Sequence, residues 1–468
     1  MRSMKNMTLE NIEKACGGRY IGTEAAKETE ILGVVIDSRQ VESGYLFVAI
    51  PGEKVDGHKF IPDVFAKGAA AVLSEQQLED PAGPYILVES TTKALRDLAE
   101  YYRKSLDIKV VGITGSVGKT STKEMIASVL SEKYKVLKTE GNYNNEIGLP
   151  LTIFKIRAEH EVAVLEMGIS EFGEMHRLAA MANPDICVIT NIGLCHLENL
   201  KTRDGILKAK TESFAHLKKG GIAILNGDDD KLSTIRQVGE REPVFYGMEE
   251  KMEYREDAKK AVYATGVENL GLYGMQARIH TPEGERDVRI PIPGGHNVYN
   301  ALAATAVGLS LGLSLEQISS GISKAKTIGG RTNLLTIGDM TVIDDCYNAN
   351  PVSMKASIDV LATAKGRKIA VLGDMGELGE NEKKLHYEVG EYLAKKEIDV
   401  LFCAGELSGE IAKAAQKESK ICEVYYFKTR DALLEQLLPF LKKGDTILVK
   451  ASHFMEYPKI VKALTDCQ

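Results

Sequence analysis

No run of apolar residues approaches the roughly 18 that a membrane-crossing helix requires, and the first thirty residues, with Lys5, Glu10, Glu13 and Lys14, lack the apolar core of a secretory signal. The seven cysteines (Cys16, Cys187, Cys195, Cys346, Cys403, Cys422 and Cys467) are odd in number, scattered and never spaced C-x-x-C. A disulfide framework and a zinc ribbon are both excluded as expectations. Nor is there a surplus of cations: 59 basic against 66 acidic residues gives 59 − 66 = −7, the wrong balance for a general nucleic-acid binder. That balance leaves room for one local basic pocket around a phosphorylated ligand. Solenoid-period repeats and low-complexity tracts are missing as well. The expectation is a soluble, reduced, cytoplasmic protein, with three possible initiator methionines in MRSMKNM.

What is present is ordinary globular composition, 44% apolar and 27% charged over 468 residues, enough for about three cores. Short β-branched runs alternate with longer helical patterns from end to end, the rhythm of α/β architecture with largely parallel sheets. GVVIDS, YLFVAI, AAVLS and YILVES mark a first block, and the helical TTKALRDLAEYYRKSL leads out of it. KVVGIT, VAVLEM, ICVITN and AILN mark a doubly wound second block. The charged GMEEKMEYREDAKKA reads as a connecting segment, and HNVYNALAATAVGLSLG as a long small-residue helix. TVIDD, KIAVLGDM, DVLFCAG, EVYYF and DTILVK give a third block with a nucleotide-fold rhythm. The expected domains are 1–107, 108–325 and 326–468.

The sharpest local signal is VVGITGSVGKTSTKEMI, a strand, a glycine-rich turn and a helix start. In the loop Thr114, Gly115, Ser116, Val117, Gly118, Lys119 and Thr120, the glycines let backbone N–H groups turn inward around phosphate oxygens. Lys119 can reach the β- and γ-phosphates, and the Thr120 hydroxyl can ligate the magnesium that travels with a nucleotide. The spacing departs from G-x-x-x-x-G-K-[ST], because Ile113 stands where the first glycine belongs and Gly112 sits one earlier. A chance lysine beside a glycine turn is the competing reading; the flanking strand and helix argue against it. A nucleotide triphosphate site follows, but kinases, GTPases, motors and ligases all use one.

Glu166 ends a strand facing the ligand crevice, where a carboxylate can hold Mg²⁺ or simply cap the next helix. His196 follows the next strand end; a lone histidine is more often structural than a ligand. Lys208 and Lys210 share a helix and read by default as solvated surface lysines.

With these residues in view, the chain resembles the Mur ligase family of peptidoglycan synthesis. TGSVGKT, the EMG after the next strand, TNIGLCHLE, AKTE-SF and GGHNVYNALAA occur in the family's order and spacing. TEGNYNNEIGLPLT, DDCYNANPVSM, VLGDMGELG, DSR and DGHKF narrow the likeness to members that add a dipeptide. The resemblance spans essentially the whole chain. It implies a uridine-nucleotide-binding α/β module, a central P-loop ATPase-like doubly wound sheet and a C-terminal Rossmann-like domain. It also implies an ATP-dependent ligase that activates the carboxylate of UDP-N-acetylmuramoyl-tripeptide as an acyl phosphate and joins it to D-alanyl-D-alanine, working as a monomer.

Residue by residue, the resemblance makes Lys119, Lys210 and His196 catalytic and places Thr120, Glu166, His196 and Lys210 at magnesium, with Lys210 carbamylated. AKTE stands where many relatives read AKGE. Asn297 and Asn300, three apart on one helix face, are placed at the adenine and the domain junction with His296 nearby. Arg331 is placed on the ATP phosphates and Asp345 on the ribose. Tyr347, Asn348, Asn350 and Pro351 form the loop over the site. Ser38, Arg39, Asp56, Gly57 and His58 are placed near the UDP-sugar, and Thr139, Asn142, Asn144 and Asn145 near the substrate's sugar or peptide. Cys346, Ala451 and His453 depart from the usual serine, glycine and arginine.

Two other readings compete. A sibling adding one amino acid would show a histidine where NANP has Asn348-Ala349. A non-catalytic nucleotide-binding relative should have lost charged residues that are intact here, Lys119, Glu166, His196 and Lys210.

Overall fold

The computed structural model describes residues 4–255, 257–418 and 422–466; Met1 and Cys467 lie outside them. Three sheets follow one another along the chain. The first contains β1 (Arg19–Ile21), β2 (Gly33–Val35), β3 (Tyr45–Val48), β4 (Ala71–Ser74) and β5 (Tyr85–Leu87) in the order β1-β5-β4-β3-β2, parallel except for β1. The four segments read as strands in this block are β2 to β5.

The second sheet has nine strands: β6 (Lys109–Thr114), β7 (Val136–Lys138), β8 (Val162–Glu166), β9 (Ile186–Ile189), β10 (Ile222–Asn226), β11 (Val244–Met248), β12 (Val262–Asn269), β13 (Met275–Thr281) and β14 (Gly284–Ile290). Their order is β14-β13-β12-β11-β10-β9-β6-β8-β7. The strands from β7 to β12 in this order are parallel, and the central β6, β8 and β9 are buried on both faces, so Val110, Val111, Ile113, Val162, Val164 and Leu165 form continuous apolar runs. An antiparallel meander, β12-β13-β14, extends this sheet beyond the doubly wound part. Its outer strand β14 exposes Glu285, Arg286, Asp287 and Arg289, while the opposite edge, β7, is three residues long and ends on exposed Lys138. The charged segment near residue 250 connects β11 to β12, as its composition suggests.

The third sheet, β15 (Asn333–Ile337), β16 (Met340–Asp344), β17 (Lys368–Gly373), β18 (Val400–Ala404), β19 (Glu423–Phe427) and β20 (Thr446–Lys450), runs β15-β16-β20-β17-β18-β19, with only β15 antiparallel. Two of its strand ends, Asp344 and Lys450, therefore lie side by side at the carboxyl edge, where ligands bind in such sheets.

The helix Thr91–Lys104 fastens the first domain to the second. Fully buried Arg103 donates from Nε to the carbonyl of Ala182 at 3.1 Å and from Nη2 to that of Ile108 at 3.2 Å, and the Tyr102 hydroxyl donates to the Ile156 carbonyl at 2.6 Å. Leu194 and Leu272 of the second domain pack against the core cluster of the third. Among the described residues no helix is long and apolar enough to cross a membrane.

Candidate active site

The loop after β6 is shaped by two glycines. Gly115 has φ 147°, and a Cβ there would lie 1.9 Å from Oγ1 of Thr190; Gly118 has φ 84° and starts the helix Lys119–Leu130 without any side-chain cap. The first helical N–H groups are thus left to an incoming anion. Asn191, two residues beyond β9, braces the loop by accepting from Val117 N at 3.0 Å and donating to the Val117 carbonyl at 2.9 Å, and Thr190 Oγ1 donates to that carbonyl at 2.7 Å. Lys119 Nζ bends back onto the Gly115 carbonyl at 3.0 Å, inside the space phosphates would fill.

Glu166 stands beside this loop and is fully buried. Its Oε1 accepts from Thr120 Oγ1 at 3.2 Å and from Asn144 Nδ2 at 2.9 Å, while its backbone N–H donates to Thr139 Oγ1 at 3.0 Å. Oε2 is buried without a hydrogen-bond partner among the described residues; Lys123 Nζ stands 3.9 Å away, itself buried and donating to the Thr139 carbonyl at 2.6 Å. A buried carboxylate oxygen left unpaired is costly unless a cation completes it. Oxygen donors from Thr120 and Glu166 suit Mg²⁺, which takes one or two protein ligands and fills its shell with water and phosphate. Among the described residues no group of three or more His, Cys, Asp and Glu side chains is placed to hold a metal ion by itself.

A cavity of about 630 Å³ opens here between the second and third domains. Of the residues expected at the site, Ser116, Val117, Gly118, Lys119, Thr120, Asn144, Asn145, Glu166, His196 and Asn300 line it from one side. His296 joins them there, and Arg331, Asp345, Tyr347, Asn348 and Asn350 line it from the other side, together with Lys450. Arg331 stacks its guanidinium 4.2 Å from the Tyr347 ring centre, and its Nε is buried and unpartnered among the described residues. Asp345 accepts from Thr332 N at 2.9 Å and from Lys450 Nζ at 2.7 Å, and also from Ser357 Oγ. Asn350 spends its side chain capping the helix Pro351–Ala362 through Ser353 N at 2.9 Å. Asn145 likewise accepts from Gly148 N at 2.8 Å, and Asn348 from Ala349 N at 2.9 Å. Burial holds the His296 imidazole below its ordinary range, hence neutral near pH 7.

Other expected residues lie off the cavity wall. Thr114 is buried at the end of β6, and Gly115 contributes its shape and carbonyl. Asn297 is buried with its amide spent on the Pro293 carbonyl at 2.8 Å and on Asn300 Nδ2, also at 2.8 Å. Thr139 backs Glu166 rather than the cavity, and Asn142 is exposed. Ser38, Arg39, Asp56, Gly57 and His58 follow the carboxyl ends of the neighbouring parallel strands β2 and β3, a separate place in the first domain. There Arg39 pairs with Asp37 at 2.7 Å. His58 uses both ring nitrogens internally, Nδ1 against Asp56 Oδ1 at 2.7 Å and Nε2 accepting from Glu75 N at 3.0 Å.

Lys210 corrects the reading of a solvated helix lysine. In the helix Arg203–Thr211, Lys208 is exposed but Lys210 is 1% exposed. Burial brings its ammonium down to about 8, with Cys195 opposing the shift and the charge of Lys119 adding to it. Unforeseen in the sequence were Lys123, Asn191 and Glu377. Glu377, in the loop after β17, places Oε2 2.7 Å from Nδ1 of His196, and that contact holds its carboxyl below the usual range. An asparagine directly after the β9 run was the signal for Asn191; the other two had none.

Three family models match in succession: the Mur ligase family catalytic domain over residues 30–103, the Mur ligase middle domain over 113–308 and the Mur ligase glutamate ligase domain over 330–453. The chain is 39% identical to the UDP-N-acetylmuramoyl-tripeptide–D-alanyl-D-alanine ligase of Bacillus subtilis and 33% identical to that of Escherichia coli, with 99% of each chain covered in both cases. Among solved structures, MurF from Acinetobacter baumannii superposes with a TM-score of 0.88 at 33% identity, covering 99% of this chain and 100% of that one. The MurF ligase of Thermotoga maritima in complex with ADP gives 0.81 at 30% identity over 93% of this chain and 97% of that one.

Proposed function

The chain belongs to the Mur ligase family, and we propose that it joins D-alanyl-D-alanine to UDP-N-acetylmuramoyl-tripeptide at the expense of ATP, in peptidoglycan precursor synthesis. The carboxylate of the tripeptide takes the γ-phosphoryl group, releasing ADP. The amine of D-alanyl-D-alanine then attacks the acyl phosphate, loses a proton, and expels phosphate through a tetrahedral intermediate. One observation carries the reading: the phosphate loop, the buried carboxylate residue Glu166 and Arg331 line one cavity built by two domains.

Each residue has a part in that chemistry. Lys119 and the N–H groups after Gly118 hold phosphate charge as it moves, and Arg331 meets it from the third domain. Thr120, Glu166 and His196 are the residues that would hold magnesium, which supplies charge neutralisation for the phosphates. His296, Asn300 and Asp345 are the nucleoside side of the cavity, with Asn297 behind them. Tyr347, Asn348 and Asn350 form its outer wall. We assign Ser38, Arg39 and the Asp56–His58 turn to the uridine nucleotide, with Asn142, Asn144 and Asn145 toward the rest of that substrate and Thr139 supporting Glu166.

Lys210 belongs to the same reading as a carbamate: its amine adds CO₂, releases a proton and becomes an anion directed at the metal site. Burial and an ammonium that ionises at about 8 support this, since only the neutral amine reacts. We place the domain limits at 107/108 and 325/326 and the enzyme in the cytoplasm as a monomer; the cavity between the second and third domains needs no second copy. Phosphate release on adding the tripeptide nucleotide and D-alanyl-D-alanine together, and with neither alone, is the expected result. Release with a single amino acid in place of the dipeptide would overturn the substrate assignment.

A further inference from the structure

We propose that Glu377 is the positioning residue of His196: the third domain presents this carboxylate so that the metal-holding imidazole is oriented only when the second and third domains are docked. The inference rests on His196 being a magnesium ligand. Nδ1 of His196 lies 2.7 Å from Oε2 of Glu377. His196 lines the cavity and Glu377 does not, so the nitrogen left for the cavity is Nε2. A carboxylate on the far nitrogen of a ligating imidazole fixes its tautomer and orientation and raises its basicity.

Both partners are held in backbone conformations that side chains disfavour, His196 at φ 51° and Glu377 at φ 59°. Left-handed residues other than glycine persist where their surroundings over-determine them, and they gather at functional sites. The surroundings of Glu377 do this residue by residue. The Asp374 carboxylate accepts from Glu406 N at 3.0 Å and Ser408 N at 2.6 Å, Met375 N donates to His386 Nε2 at 2.9 Å, and Gly376 N donates to Ser452 Oγ at 2.9 Å. The other side is anchored too, because Leu194, two residues before His196, packs into the third domain's core. Yet the Glu377 side chain is 60% exposed, so packing alone asks for no acid at this position.

Metal affinity separates this role from a bridge that merely joins domains. Mn²⁺ binding to the full-length protein with ADP, followed by electron paramagnetic resonance, involves no turnover. Glu377→Ala and His196→Ala are each expected to weaken Mn²⁺ binding by about tenfold or more, with ADP binding in the absence of metal unchanged. Glu377→Gln, which keeps an acceptor oxygen, should fall between Glu377→Ala and the parent. The double variant should be no weaker than His196→Ala, since Glu377 acts only through that ring. If His196→Ala weakens Mn²⁺ and Glu377→Ala stays within about twofold of the parent, the positioning role is wrong while the ligand assignment stands. Additive losses in the double variant would also overturn it. Unchanged binding in His196→Ala would overturn the ligand assignment and this inference together.

Discussion

Lys450 and Asp345 form a buried ion pair at the carboxyl edge of the third sheet, with Nζ 2.7 Å from Oδ2 and the side chains 3% and 10% exposed. The same ammonium donates to the Asn348 carbonyl at 3.1 Å, so one lysine ties the end of β20 to the loop that walls the cavity. Removing one partner of a buried pair strands the other charge, at a cost of about 3–5 kcal/mol. Lys450→Ala should therefore lower the urea midpoint well below the parent's, and Lys450→Met combined with Asp345→Asn should recover much of it. Equal losses in both would mean that packing, not charge, holds this corner.

Lys119→Ala should abolish turnover and leave the fold intact. The Lys119 ammonium donates to the Gly115 carbonyl at the mouth of the loop, so the lysine serves phosphate charge and not a core. Circular dichroism and phosphate release on the same preparation test this; near-normal release from a folded variant removes the phosphate loop from the mechanism.

Lys210→Ala separates an inert buried lysine from a carbamate. A carbamate that is lost should cost orders of magnitude in rate, and formate or acetate should restore part of it where a small amine does not. Because the amine ionises at about 8 in the folded protein, dependence of the parent's rate on dissolved CO₂ should ease as pH rises through that value. Equal rescue by amines and carboxylates would rule the carbamate out.

His386 should make the third domain sensitive to acid. It is fully buried, accepts from Met375 N and donates from Nδ1 to the Glu382 carbonyl at 2.7 Å; burial holds its ring below the ordinary 6.5. Below 6.5 the unfolded chain binds a proton that the folded one resists, so the full stability present above that pH is lost as pH falls beneath it. Thermal midpoints of the parent and His386→Asn, taken from about pH 8 to about pH 5, should converge on the acid side. Parallel curves would show that another group titrates.

How much of this was legible depended on how local each signal was. The phosphate loop was readable because strand, glycines, lysine and helix fall within seventeen consecutive residues. The meander β12-β13-β14 went unread although its alternation is plain, with Met275, Ala277 and Ile279 buried and Gln276 and Arg278 exposed; a search for continuous apolar runs passes over a half-solvated antiparallel strand. Lys210 follows Ile206 by four positions and so shares its buried helix face, while Lys208 does not. That spacing could have revealed its burial without any likeness to relatives. Lys450 with Asp345, 105 positions apart, and His196 with Glu377 in another domain are joined only by the fold, and no local pattern marks such pairs.

The two borders of the nine-stranded sheet bear on how the protein behaves at high concentration. An open strand border is a template on which a second molecule can lay its own strand. At β7 that template is three residues long, too short to seat a partner. At β14 an incoming strand would have to match Glu285, Arg286, Asp287 and Arg289 in one register while those charges give up water. A sheet wide enough to seed fibrils is thus closed to growth at both ends, and at β14 the helix Leu315–Ser323 packs close by as well.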